Sequence, residues 1–155
     1  MRYEAITSGC SEEIAAIRGD TIVSRGRVHK VRQLSGYLAR KDEHVQGLIL
    51  YDICNNECEI VALNSYSENV GIGTELIELV KNKAITEHLS RLWLITTNDN
   101  IKAIRFYQKR GFDMKAIHLN AVDEARLHKP TIPLYNAEGI PIKHEIEFEI
   151  KLAVD

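Results

Sequence analysis

The stretch Glu68-Asn69-Val70-Gly71-Ile72-Gly73-Thr74 constrains this chain most, because it stands between an apolar, strand-like run at residues 59–63 and an amphipathic segment at residues 75–89. Strand, glycine turn and helix in that order put two glycines where the backbone must turn tightly. They also aim the unpaired N–H groups and positive dipole end of the helix back at the turn. Such a turn suits an anion, most naturally a phosphate or diphosphate. Two familiar phosphate loops are excluded: Leu76 stands where a dinucleotide fingerprint needs its third glycine, and the Gly-Lys-Ser/Thr of a P-loop is absent. A Gly-x-Gly is also ordinary turn punctuation, so taken alone the segment leaves both readings open.

The flanking patterns place this turn in a sheet. Leu76, Ile77, Val80, Ala84 and Ile85 recur at helical spacing, so one stripe of that helix packs on strands. Residues 92–95 read as a second buried strand, ending in Thr96-Thr97-Asn98-Asp99-Asn100, a cluster that caps a further helix carrying Ile101, Ile104, Phe106 and Tyr107 and stopped by Gly111. Strand–helix–strand–helix implies a parallel neighbouring pair, with ligands outside the C-terminal strand ends. Upstream, residues 3–6 suit a short strand and Ser11 an N-cap for a two-turn helix through Ile14, Ala15 and Ile17. Residues 33–40 and 45–53 suit a hairpin around Lys41-Asp42-Glu43-His44. Residues 22–29, apolar at both ends around Arg25, Arg27 and His29, fit either a solvated basic segment or a ligand contact. Downstream come a strand at 114–119, a short helix at 121–128 and a proline-punctuated loop at 129–142. Last is a closing antiparallel strand at 144–152, with Glu145, Glu147, Glu149 and Lys151 on a polar outer face.

Composition narrows the ligand. At 155 residues the chain suits one domain, and its net charge of -2 supplies no basic excess for nucleic acid. No run approaches a membrane span, and Met1-Arg2-Tyr3-Glu4 opens no apolar signal core, so a cytoplasmic location is expected. Cys10, Cys54 and Cys58 are odd in number and too sparse for a disulfide framework. No second pair or His cluster joins Cys54 and Cys58 to make a metal site, so no metal is expected.

Gly71-Ile72-Gly73 after a strand, followed by Asn100, Ala103, Phe106-Tyr107 and Gly111-Phe112 as Asn-x-x-Ala-x-x-Phe-Tyr-x-x-x-Gly-Phe, resembles the GNAT superfamily of acetyl-coenzyme A-dependent N-acetyltransferases. The resemblance is clearest over residues 57–112 and covers the rest loosely. It implies one GNAT-like domain over residues 1–155. The implied fold is α/β, with a mixed, mostly antiparallel central sheet, a parallel splayed central strand pair and flanking helices. The implied reaction is transfer of the acetyl group of acetyl-CoA to a primary amine of a small molecule or peptide by direct attack in a ternary complex. A non-catalytic CoA-binding regulatory module of the same fold is the alternative, and a homodimer stays open.

The family's residues carry over one at a time. Its loop Arg/Gln-x-x-Gly-x-Gly/Ala places Gly71 and Gly73 on the glycines and the N–H groups of Val70, Gly71, Ile72, Gly73 and Thr74 on the diphosphate. Glu68 departs from the pattern by standing where Arg or Gln is usual. Asn100, with Ala103, matches the pantetheine-side position, although Asn98, Asp99 or Asn100 also suits a plain helix cap. Tyr107 matches the tyrosine that protonates the departing thiolate. Glu57 and Glu59 share one strand face and are the candidate bases, Glu59 the favoured one beside the buried run. A main-chain N–H at Leu63 or Asn64 is expected to stabilise the thioester oxygen. On the acceptor side, Arg25, His29 and Arg126 are the candidate contacts, the last at the start of the long connection 120–143.

Overall fold

Two-residue turns with positive φ at both positions organise the first half of the chain. They lie at Arg25-Gly26, Asp42-Glu43 and Asn55-Asn56. Turns of this hand match the twist of a hairpin, so each closes one tightly. In the computed structural model, which describes residues 1–66 and 71–152, they join β2 (Thr21–Ser24) to β3 (Arg27–Lys30), β4 (Ser35–Lys41) to β5 (His44–Cys54), and β5 to β6 (Glu57–Ser65). The other elements are β1 (Arg2–Ala5), α1 (Ser11–Arg18), α2 (Ile72–Thr86), β7 (Arg91–Thr97), α3 (Ile101–Lys109), β8 (Asp113–His118), α4 (Ala121–His128) and β9 (Glu145–Lys151). The main sheet has the order β1-β4-β5-β6-β7-β9-β8 and is mostly antiparallel, with β6 and β7 the one parallel pair, and helices flank it. Among the described residues no helix is long and apolar enough to cross a membrane.

Two compact units make up the chain, and each has its own packing. The first comprises residues 1–22, 30–92 and 151–152. Here β4, β5 and β6 pair antiparallel, with Leu38 opposite Leu48 and Leu50 opposite Ala62. These side chains form a buried cluster with Ile14 of α1 and Val31. Each fully buried leucine contributes about 1.5–3 kcal/mol relative to exposure, which fixes α1 on this face. The start of α1 differs from expectation: Cys10 is its cap and Ser11 its first residue, because a single 3-10 turn at Ser8–Cys10 runs directly into it. Arg40 of β4 donates to Glu4 of β1 and Glu13 of α1. It holds both carboxyls below their ordinary range chiefly by these hydrogen bonds.

Helix α2 begins three residues earlier and ends three earlier than the periodicity suggests. Its end is set by His88, which takes φ 57° while His88 N–H donates to Ile85 O and Leu89 N–H to Ala84 O. That pair of bonds closes a helix terminus with a left-handed residue, here histidine rather than glycine. On β6, Cys58 is wholly buried, and burial pushes its thiol up to about 12, whereas Cys54 is exposed. The thiolate is the reactive form, so at pH 8 iodoacetamide is expected to alkylate Cys54 and spare Cys58 in the folded protein. Peptide mass spectrometry before and after denaturation checks this, and Cys58 labelled as fast as Cys54 would contradict it.

The second unit comprises residues 23–29 and 93–150. The glutamates of β9 are not the solvent-facing row that their alternation suggests: Glu145, Glu147 and Glu149 are 3, 9 and 7% exposed. The reason is position, since β9 lies inside the sheet, antiparallel to β8 on one side. Arg25 at the hairpin tip donates to Glu145 at 3.1 Å, and His118 of β8 lies 2.9 Å from Glu147, as buried carboxylates require.

Candidate active site

In the first unit, the described part of the glycine turn begins at Gly71. Gly71 caps α2 with φ 78° and ψ 8°, a left-handed conformation that strains residues with a side chain, and a Cβ there would meet nothing within 4 Å. The Glu75 N–H donates to Gly71 O at 3.0 Å, so Ile72 and Gly73 open the first turn with no intrahelical acceptor for their own N–H groups. Because the helix starts at Ile72, Gly73 and Thr74 belong to its first turn rather than to the loop. Glu68 and Val70 lie outside the described residues. The N–H groups of Ile72 and Gly73 are thus the donors that an anion at this helix start would need. A residue not foreseen as part of the site holds this helix start: Gly47 of β5, where a Cβ would stand 2.6 Å from Ile72 Cγ2.

Strand β6 carries the other first-unit candidates. Its register against β5 slips between Leu50 and Tyr51, which face Ala62 and Ile60, so Val61 is an extra, bulged residue. Asp52 faces Glu59 and Leu48 faces Asn64, and Leu48, Leu50 and Asp52 alternate to one face of β5. The bulge therefore keeps Glu59, Ala62 and Asn64 on the α1 face, although plain alternation would send Asn64 to the other. Glu59 is 2% exposed there, and Arg18 of α1 donates to Asn64 Oδ1 at 3.1 Å. Glu57, the alternative base, is bound in an ion pair with Arg91 at 3.1 Å. Leu63 lies opposite Ile49, two residues past the bulge.

In the second unit, Asn100 is itself the cap of α3, its Oδ1 accepting from Ala103 N–H at 3.2 Å. Its two neighbours have other partners. Asp99 accepts from Thr97 Oγ1, while Asn98 donates to Pro141 O and accepts from the N–H groups of Lys143 and His144. Asn136 Nδ2 also donates to Asp99 O at 3.3 Å, so the long connection is fastened to the turn that holds Asn100. Tyr107 is buried, its ring edge-on to Phe106 and Phe112 and tilted against Phe148. Gly111, at φ 91°, closes α3 as expected, with Phe112 N–H donating to Tyr107 O.

The acceptor-side candidates fare differently. Arg126 is a clamp: its guanidinium donates to the carbonyls of Ile132, Pro133 and Ile142 and pairs with Asp123. That satisfies loop carbonyls that no strand takes up, so the guanidinium expected to contact the substrate also holds the connection together. Arg25 is engaged by Glu145, and His29 on β3 is buried.

The model of the acetyltransferase (GNAT) family matches residues 9–112, two thirds of the chain. The chain belongs to this family. Membership makes it an acyltransferase. A relative, the uncharacterized protein YdhI of Bacillus subtilis (strain 168), is 45% identical over 122 residues, 78% of this chain and 76% of YdhI. Two solved structures share the GNAT fold. A GNAT family acetyltransferase from Elizabethkingia anophelis with acetyl-CoA bound is 20% identical with a TM-score of 0.74, covering 97% of both chains. The IAA acetyltransferase from Bacillus cereus is 18% identical with a TM-score of 0.73, covering 97% of this chain and 99% of its own.

Proposed function

We propose that residues 1–155 act as one N-acetyltransferase domain that transfers the acetyl group of acetyl-CoA to a primary amine by direct attack in a ternary complex. The observation that carries the cosubstrate is Gly71: left-handed, open on its Cβ side and placed at the start of α2. The E. anophelis GNAT protein with acetyl-CoA bound supports the same choice. In this reading the amides of Val70, Gly71, Ile72, Gly73 and Thr74 hold the diphosphate, while Asn100 and Ala103 border the pantetheine arm. The Leu63 N–H receives the thioester oxygen as it gains charge.

The proton steps follow from the residues. An ammonium is no nucleophile, so Glu59 takes a proton from the acceptor amine, whose nitrogen then forms the C–N bond as the C–S bond breaks. Tyr107 gives its proton to the leaving sulfur. Glu59 is preferred to Glu57 because its carboxylate is buried beside the bulge, whereas Glu57 is tied to Arg91. The acceptor is a small-molecule or peptide amine.

The test is thiol release from acetyl-CoA across a panel of amines, with CoA affinity measured in parallel. At least one amine is expected to raise release above background, and Glu59→Gln to lower that rate by at least about 10-fold at unchanged CoA affinity. CoA binding without release for any amine would instead favour a regulatory module.

A further inference from the structure

Asn64 is the residue next to the main-chain donor proposed for the thioester oxygen, and its backbone and side chain have different tasks. Tyr66 N–H donates to Gln46 O at 3.0 Å, and the register runs unbroken from Ser65 opposite Gly47 to Ala62 opposite Leu50. Amides alternate sides along a strand, so the Asn64 N–H points to β5 with that of Tyr66, and the Leu63 N–H points away. What Asn64 has left to offer is its side chain, which the bulge at Val61 keeps on the α1 face with Glu59. Arg18, the last residue of α1, donates to Asn64 Oδ1 at 3.1 Å. A guanidinium has donors only, so this bond fixes which way the amide faces: oxygen toward Arg18, and Nδ2 with its two N–H donors away from it. The cation also polarises the amide and strengthens those donors. Among the described residues, the half-buried Asn64 makes no bond through Nδ2.

We infer that Asn64 sets acceptor specificity, with Arg18 as its positioning residue, and that it selects amines whose nitrogen-bearing carbon also carries a carbonyl, as in an amino-acid amide or a peptide N-terminus. The inference rests on the acetyltransferase reading given above. In that reading the amine attacks beside the Leu63 N–H, one residue from Asn64, and gives its proton to Glu59 on the same strand face. A carbonyl on the nitrogen-bearing carbon holds its oxygen roughly 3 Å from the attacking nitrogen. That oxygen only accepts hydrogen bonds and Nδ2 only donates them, so the two are complements. A plain alkylamine brings no such oxygen and leaves the Nδ2 donors unmatched, the kind of mismatch by which a polar site discriminates. Arg18, Glu59, Leu63 and Asn64 all belong to the first unit, so the pairing lies within it.

The test measures kcat/KM for glycinamide and for propylamine, a chain of the same length without the carbonyl, each expressed per unprotonated amine, with thermal unfolding alongside. The unaltered protein is expected to prefer glycinamide by about 10-fold or more, the scale of one polarised hydrogen bond. Asn64→Asp keeps the oxygen that Arg18 binds but replaces the N–H2 donor with a second acceptor. It is expected to hold its Tm and to bring the preference within about 2-fold of unity. Arg18→Met leaves the amide able to turn and is expected to give an intermediate preference. Equal use of both amines by the unaltered protein overturns the inference, as does acetylation of other amines but neither of these. So does Asn64→Asp or Arg18→Met with the preference intact, whatever its Tm. A folded Asn64→Asp protein inactive on both amines shows a role in the chemistry itself and also overturns it. Absence of thiol release with every amine of the panel removes the acetyltransferase reading instead.

Discussion

Tyr107→Phe is expected to slow acetyl transfer by about 100-fold or more, the lower range for loss of a positioned general acid. CoA affinity is expected to stay within about 2-fold, since the hydroxyl acts on charge that develops only as the C–S bond breaks. The substitution is informative because three aromatic neighbours meet the ring itself. Phe106 and Phe112 meet it edge-on with centroids 5.3 and 5.5 Å away, and Phe148 lies 6.1 Å away. A phenylalanine ring keeps all three ring contacts while the proton donor is removed. Stopped-flow or steady-state thiol release with the best amine from the panel, together with CoA calorimetry, gives both numbers. If kcat stays within about 3-fold of the unaltered enzyme, Tyr107 is a core residue and the proton for the thiolate comes from elsewhere.

The elements around this tyrosine were legible because their signals are local. Asn100 and Gly111 bracket α3 with a cap and a left-handed stop, and both work within a few residues of the chain. Helix α4 spans residues 121–128 as its pattern suggests. What could not be read depends on distant partners. The glutamates of β9 alternate as an exposed row would, and only the insertion of β9 inside the sheet, with Arg25 and His118 supplied from elsewhere, makes burial tolerable. The bulge at Val61 leaves no mark in an apolar run, yet it decides that Glu59 and Asn64 share a face. Arg126 looked like a free cation at a helix end because the carbonyls it binds lie in an irregular loop. Gly47 was the one readable clue left unused: an isolated glycine inside a β-rich run signals close approach of a neighbour.

That approach yields the largest expected stability effect tied to the site. In Gly47→Ala the new Cβ would lie 2.6 Å from Ile72 Cγ2, 3.1 Å from the Asn64 carbonyl oxygen and 3.1 Å from Leu76 Cδ1. Ile72 Cγ2 branches directly from Cβ, and Ile72 and Leu76 are both fully buried, so neither yields by a simple rotamer change. Overpacking of this kind costs about 2–3 kcal/mol, which for a chain of this size lowers Tm by roughly 4–12 °C. Gly9→Ala is the control, its Cβ meeting only Thr7 Oγ1 at 3.7 Å and its expected cost staying within about 0.5 kcal/mol. Relief of the clash must move the first two turns of α2 away from β5, so the surviving folded protein is expected to bind CoA more weakly as well. Gly9→Ala is expected to leave CoA affinity unchanged. Equal Tm values for the two variants would mean that α2 is not seated on β5 through Gly47. A lowered Tm with unchanged CoA affinity would separate the seating of the helix from CoA binding at its start.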